Sequence, residues 1–219
     1  MKKTAIILGV TGLTGGYVLS ELLSDGRYEK IILFSRRTKG ITHPKLVEHI
    51  IDVTELEKYK QLFKGDDVFC CIGTTQKKTP NKEVYQKVDY GIPVSAAELA
   101  AKCNAKAFIV ISAMGANTKS NVFYNRLKGE MEAKVQEFSI PKIHIVRPAL
   151  ISGNREEFRL GEYIAKQFFK VLDLVMVGPL EKYKSIHPER IAKSMIWLAN
   201  NNFSKTIVES DTLQKLGSD

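Results

Sequence analysis

Six short apolar runs alternate with stretches of helical periodicity, and a glycine-rich turn joins the first run to the first helical stretch, which predicts an α/β fold for this chain of 219 residues. The expected form is a doubly wound parallel sheet of the Rossmann type, with helices on both faces. Its strand order would be 3-2-1-4-5-6, with a candidate seventh strand near the end. The length suits one domain over residues 1–219, with a small cap on the substrate side from about 150 to 200.

The first element is Thr4-Ala5-Ile6-Ile7-Leu8, apolar throughout, as a parallel strand buried on both faces must be. Gly9-Val10-Thr11-Gly12-Leu13-Thr14-Gly15-Gly16 follows, and Tyr17 to Leu23 repeats its apolar residues at helical spacing. Strand, turn and helix in this order aim the unpaired N–H groups of a helix N-terminus at open space, where they favour a phosphate. Gly9 is expected to make the turn, Gly12 to let the backbone approach a pyrophosphate, and Gly15 or Gly16 to let the helix pack on the sheet. The spacing is G-x-x-G-x-x-G rather than the tighter G-x-G-x-x-G, so the signal takes its weight from the flanking strand and helix. Gly9, Thr11, Gly12, Leu13, Thr14 and Gly15 are the cofactor-binding residues expected here.

Lys30-Ile31-Ile32-Leu33-Phe34 is the second strand and ends in Ser35-Arg36-Arg37. An NAD site places an acid about 20 residues past the glycines for the ribose 2′-hydroxyl, whereas an NADP site offers arginine to the 2′-phosphate. No acid lies between Lys30 and Glu48, so Ser35, Arg36 and Arg37 point to NADP(H); the competing reading is a loop made soluble by its arginines. Leu46 to Ile51 alternates weakly as a third strand ending at Asp52-Val53, where an acid comes within reach of an adenine amino group, and Thr54 is expected to cap a short helix. Val68-Phe69-Cys70-Cys71-Ile72 is the fourth strand. Cys71 and Gly73-Thr74-Thr75 at its exit would lie beside the glycine loop, at the carboxyl ends of the strands where doubly wound sheets bind ligands.

Lys82 to Cys103 reads as helical with a kink at Gly91-Ile92-Pro93. Ala107 to Ile111 is the fifth strand, with Ser112 at its exit. Tyr124-Asn125-Arg126-Leu127-Lys128 sets a phenol and an ammonium on one face of a helix running to about Phe138. Chance alone would supply such a spacing in a chain with eight tyrosines, so its position after the fifth strand carries the weight. Lys142 to Val146 is the sixth strand, ended by Arg147-Pro148. Glu162 to Leu172 reads as an amphipathic helix able to roof a pocket, with Phe168 and Phe169 in the core. His187-Pro188-Glu189-Arg190 opens a helix over Ile191 to Ala199 in which Trp197 packs, and Thr206 to Glu209 is the candidate seventh strand.

The glycine loop, the strand order and the set Ser112, Tyr124 and Lys128 resemble a short-chain dehydrogenase/reductase of the atypical branch. Cys71-Ile72-Gly73-Thr74-Thr75, Val88-Asp89, Ser112-Ala113-Met114-Gly115-Ala116, Lys128-Gly129-Glu130-Met131-Glu132 and Val146-Arg147-Pro148 are similar to the Tat-interacting-protein group, whose bacterial members are described as NAD(P)-binding oxidoreductases. The likeness runs from residue 3 to about residue 200, and its motifs are moderately specific. It implies NADPH binding. It also implies that Tyr124 protonates a substrate carbonyl oxygen as hydride arrives, that Lys128 favours the phenolate and bonds the nicotinamide ribose, and that Ser112 donates to the same oxygen. Asp52, Val53, Arg147 and Pro148 join the expected cofactor contacts, as do Tyr124 and Lys128, and Ile151 to Arg155 would lie around the nicotinamide and substrate. Active members add an asparagine on the central helix, where this chain has Val88-Asp89-Tyr90.

Three functions fit. The first is an NADPH-dependent reductase of a small carbonyl compound, and the second is an NADPH-binding regulatory or scaffold protein with a protein partner. The third, a nucleotide-sugar epimerase or dehydratase, is disfavoured because only about 70 residues follow the sixth strand. The net charge of +9 is spread in ones and twos without nucleic-acid motifs, so a solvated basic face is expected, with nucleic acid an unlikely ligand. Cys70, Cys71 and Cys103 make neither a disulfide framework nor a zinc pattern, and the four histidines lack metal spacing, so no metal is expected. Met1-Lys2-Lys3 mimics a secretory signal, but the apolar run after it breaks at Gly9. No run approaches the roughly 18 apolar residues of a membrane span, so the expected location is cytoplasmic.

Overall fold

Ala5, Ile6, Ile7 and Leu8 are wholly buried, which only the centre of a two-sided sheet can arrange. In the computed structural model, which describes residues 2–152 and 183–218, they belong to β1 (Lys3–Leu8), flanked by β2 (Tyr28–Ser35) and β4 (Asp67–Cys70). With β3 (Leu46–Ile50), β5 (Ala107–Ile111), β6 (Lys142–Arg147) and β7 (Ile207–Glu209) these make a seven-stranded sheet of order 3-2-1-4-5-6-7. Every neighbouring pair runs parallel, and the candidate seventh strand is present.

Alternate side chains feed two apolar layers. Ala5, Ile7, Leu33, Phe69 and Ile109 face α1 (Leu13–Ser24) and α5 (Pro188–Asn200) through Val18, Leu22, Ile191 and Met195. Ile6, Leu8, Phe34, Val68 and Val110 share the other layer with Ala96 and Ala100 of α3 (Ile92–Lys102) and Met131 and Val135 of α4 (Phe123–Val135). Each large side chain so covered contributes about 1.5–3 kcal/mol, which offsets the entropy of ordering the chain. At the amino ends of the strands, Asp67 accepts from Tyr28 Oη (2.6 Å) and Lys3 Nζ (2.9 Å). Asn200 donates to Tyr28 Oη (2.8 Å) and accepts from Lys3 (2.9 Å), so α5 is pinned to the floor of the sheet.

Local geometry departs from expectation in three places. The irregularity in the long helix is a π-turn over Lys87–Gly91, set between α2 (Lys82–Gln86) and α3, and Pro93 follows it in the first turn of α3. Asp52, not Thr54, caps the 3₁₀ segment Val53–Tyr59, its carboxylate accepting from Thr54 N at 2.9 Å. α4 ends at Val135, short of Phe138. A short α6 (Ser210–Leu216) follows β7. The expected helix Glu162 to Leu172 with Phe168 and Phe169, the residues Gly153, Asn154 and Arg155, and most of the expected cap lie outside the described residues. Among the described residues no helix is long and apolar enough to cross a membrane.

A pH-sensitive group sits in the core beside β6. His144 of β6 is 3% exposed, donates through Nδ1 to the Lys205 carbonyl at 3.0 Å, and leaves Nε2 buried without a hydrogen-bond partner. Burial, the largest cause, holds its imidazole below the ordinary histidine value of 6.5. As pH falls through that value the unfolded chain takes up a proton that the folded chain resists, so stability falls. His144→Gln should therefore shrink the loss of melting temperature between about pH 7 and pH 5 relative to wild type.

Candidate functional site

Leu8 pairs with Cys70, so the turns leaving β1 and β4 meet at the carboxyl edge of the sheet. Gly9 turns there with φ +84°, and a Cβ on it would stand 2.6 Å from the Cys71 carbonyl oxygen. A Cβ on Gly15 would stand 2.2 Å from the Gly9 carbonyl oxygen, whereas one on Gly16 would come no nearer than 3.7 Å to Val10 O. Gly15 is therefore the packing glycine of the pair. Gly12 caps α1 in extended conformation with no side-chain hydrogen bond, and the first turn of α1 has no acid. The N–H groups of Leu13, Thr14 and Gly15 are thus offered to an incoming anion without an internal competitor, and the exposed Thr11 and Gly12 leave it room. The residues present fit a dinucleotide. Gly15→Ala should cost about 1–3 kcal/mol by overpacking and weaken NAD(P)H binding, read by melting temperature and cofactor titration.

At the carboxyl end of β2, buried Ser35 donates from Oγ to the Arg37 carbonyl at 2.7 Å, while Arg36 and Arg37 are exposed. Asp52 also accepts from Thr54 Oγ1 at 2.7 Å. The Thr54 hydrogen bonds, aided by the charge of Arg36, hold its carboxyl below the usual aspartate value. The side chain of Val53 packs in the core with Leu56 and Phe63, which leaves its backbone as the part of the residue open to the expected cofactor contact.

In the loop after β4, Thr74 is gripped on every polar atom. Its N–H donates to Asp89 Oδ2 (2.9 Å), its carbonyl accepts from Tyr85 Oη (3.1 Å), and its hydroxyl meets that of Thr79 (2.8 Å). Asp89 sits in the π-turn, and its Oδ1 lies 2.9 Å from Lys128 Nζ with side-chain exposures of 2% for the lysine and 1% for the aspartate. The contact is ionic, because Oδ1 lacks an aligned hydrogen bond. Tyr85 also meets the Tyr124 ring edge-on, with centroids 6.3 Å apart. Gly73 is exposed, and Thr75 accepts from Lys78 N at 2.9 Å. The structure therefore gathers Thr74, Tyr124 and Lys128 through Tyr85 and Asp89.

Ser112 and Arg147 belong to a different cluster. The Ser112 hydroxyl, 4% exposed, donates to Glu132 Oε1 at 2.5 Å. Arg147 holds the same carboxylate from Nε (2.9 Å) and Nη2 (2.5 Å), and also reaches Glu209 (3.1 Å) and the Ala116 carbonyl (3.1 Å). A buried carboxylate must be supplied with donors, and Glu132 draws both residues to itself. Ser112 can serve a substrate oxygen only by turning its proton away from Glu132, and Arg147 ties β6 to α4 and β7. Pro148 accepts from Met114 N at 3.3 Å. Asp89 and Glu132 were not among the expected site residues, yet one signal was available. Tyr124, Lys128 and Glu132 recur at i, i+4 and i+8, on one stripe of α4.

Residues 9–155 match the family model described as NAD(P)H-binding. The chain belongs to the NAD(P)H-binding family. This NAD(P)H-binding protein is 34% identical over 171 residues to protein HTATIP2 of Rattus norvegicus, covering 76% of this chain and 70% of the relative. Its family and this likeness set it in the atypical branch of the short-chain dehydrogenases/reductases. Fungal relatives 27–31% identical are named as mitochondrial proteins. Among solved structures, UDP-glucose 4-epimerase of Thermotoga maritima with UDP-glucose aligns with TM-score 0.68 at 16% identity, over 98% of this chain and 81% of its own. The Bordetella bronchiseptica enzyme WbmG in complex with NAD aligns with TM-score 0.61 at 16% identity, over 80% of this chain, which spans only 60% of that enzyme's length. Likenesses at such identity establish the shared fold alone.

Proposed function

We propose that this NAD(P)H-binding protein is an NADPH-dependent oxidoreductase that reduces a small carbonyl compound in the cytoplasm. The observation that carries the reading is the junction of Tyr124 and Lys128 with the Thr74 loop, beside the glycine turn. Bound NADPH supplies hydride chemistry. Tyr124, half-buried at the open end of α4, would give its proton to the carbonyl oxygen, and Lys128 would stabilise the phenolate left behind. Thr74, fixed by Asp89 and Tyr85, would hold its loop in place as one wall of the site.

The preference for NADP(H) rests on Arg36 and Arg37, both exposed and, among the described residues, in no ion pair. Arg36→Ala and Arg37→Ala should each weaken NADPH binding about tenfold and spare NADH, measured by cofactor titration. NADH binding as tightly as NADPH in the wild type would defeat the preference. The mitochondrial names of fungal relatives make cell fractionation of the tagged chain the check on location.

A second reading, an NADPH-binding regulatory protein that acts through a protein partner, draws on a separate observation. The charge of Lys128 is balanced by Asp89, and the Ser112 proton is committed to Glu132. A panel of aldehydes and ketones separates the two. Steady NADPH consumption with any of them supports the reductase, whereas cofactor-induced stabilisation without turnover supports the regulator.

A further inference from the structure

We propose that Tyr85 is a positioning residue that ties the loop after β4 to Tyr124, so that one side chain sets both the cofactor wall and the proton donor. The inference rests on the reductase reading above and adds a residue that the spacing of the motifs did not single out.

The placement of Tyr85 begins with the cap of α2. Asn81 accepts through Oδ1 from Glu83 N (2.9 Å) and Val84 N (3.1 Å), and its carbonyl accepts from Tyr85 N (2.9 Å), so the start of this short helix is fixed. The Lys82 ammonium lies over the Phe123 ring, 5.8 Å from its centroid, and joins α2 to the first residue of α4. Beside this tie Tyr85 is 5% exposed and is engaged at both ends. Its hydroxyl donates to the Thr74 carbonyl at 3.1 Å, while the N–H of the same residue is held by Asp89 at 2.9 Å. Its ring stands at 67° to that of Phe123, with centroids 5.9 Å apart, and at 90° to that of Tyr124, with centroids 6.3 Å apart. Edge-to-face pairs at such separations are favoured by the ring quadrupoles, and the angle they prefer restricts how each partner turns. Two consecutive residues of α4 therefore lean on one ring, and the far end of that ring is fastened to the loop after β4. Tyr85 is not a second proton donor. Its own proton is engaged by Thr74, and burial, reinforced by the charges of Asp89 and Tyr124, holds its phenol above the ordinary value of 10.0. Its part is to hold, and a displacement of about 1 Å at a reacting group costs about 10²-fold in rate.

The test is steady-state kinetics of the full chain with NADPH and a carbonyl compound that wild type reduces, for wild type, Tyr85→Phe and Tyr85→Met, with rates taken per folded molecule. Tyr85→Phe keeps the ring and loses the hydroxyl, so KM for NADPH should rise about two- to tenfold while kcat falls by less than about threefold. Tyr85→Met fills the space with a side chain that has no fixed edge, so kcat should fall about 10²-fold as well. The phenyl ring thus restores what the thioether cannot. Values of kcat that agree within about threefold between the two variants would overturn the ring's hold on Tyr124, and an unchanged KM for NADPH in Tyr85→Phe would overturn the hydroxyl's hold on the loop. Lowered melting temperatures with wild-type kinetics per folded molecule would make Tyr85 a packing residue and overturn both. If wild type consumes no NADPH with any carbonyl compound, the reductase reading itself fails and the inference falls with it.

Discussion

Tyr124→Phe should lower carbonyl-dependent NADPH oxidation by about 10²- to 10⁴-fold while NADPH affinity stays within about twofold. Phenylalanine keeps the ring, and with it the edge-on contact to Tyr85 that helps to place the start of α4. Only the hydroxyl is lost. The change therefore separates proton delivery from the cofactor binding proposed for the glycine turn. A rate within threefold of wild type, with a substrate the wild type turns over, would remove Tyr124 from the chemistry.

Lys128→Met should lower stability by about 3–5 kcal/mol, because it strands the Asp89 carboxylate in a site where 1% of its side chain meets water. In a chain of this length that corresponds to a fall of about 10 °C in melting temperature. Adding Asp89→Asn should recover most of the loss, since the amide oxygen can still accept from Thr74 N and no buried charge remains. The Lys102–Glu98 pair is a fair control at a similar length, 2.8 Å, but about half exposed on each side, and breaking it should leave the melting temperature almost unmoved. If the two lysine substitutions behave alike, the inner pair is solvated in a way its burial does not suggest.

The sheet was legible because its signals are local. A strand covered on both faces must be apolar along its length, and Ile6 to Leu8 or Phe108 to Val110 has no other economical use. The strained turn at Gly9 and the close approach at Gly15 were legible for a similar reason, since few residues other than glycine tolerate them. The pairings around the site were not. Asp89 meets Lys128 and Ser112 meets Glu132 only after distant segments have come together, and nothing in the spacing says which acid answers which cation. The cap at the third strand illustrates a finer limit. Asp52 and Thr54 are both good capping residues, and the choice between them rests on a backbone angle, extended at Asp52, that composition does not encode. The π-turn likewise looks like an ordinary helix with a proline in it until the chain is traced.

The pin beneath the sheet has a bearing on how the chain comes off the ribosome. Lys3 and Asn200 are hydrogen-bonded across 197 positions, and Tyr28 waits for the same asparagine. A nascent chain can pair its first strands early, but Lys3 and Tyr28, which both bond the buried Asp67, meet Asn200 only once residue 200 has been made. Until then the crevice is formed on a sheet whose floor is still open.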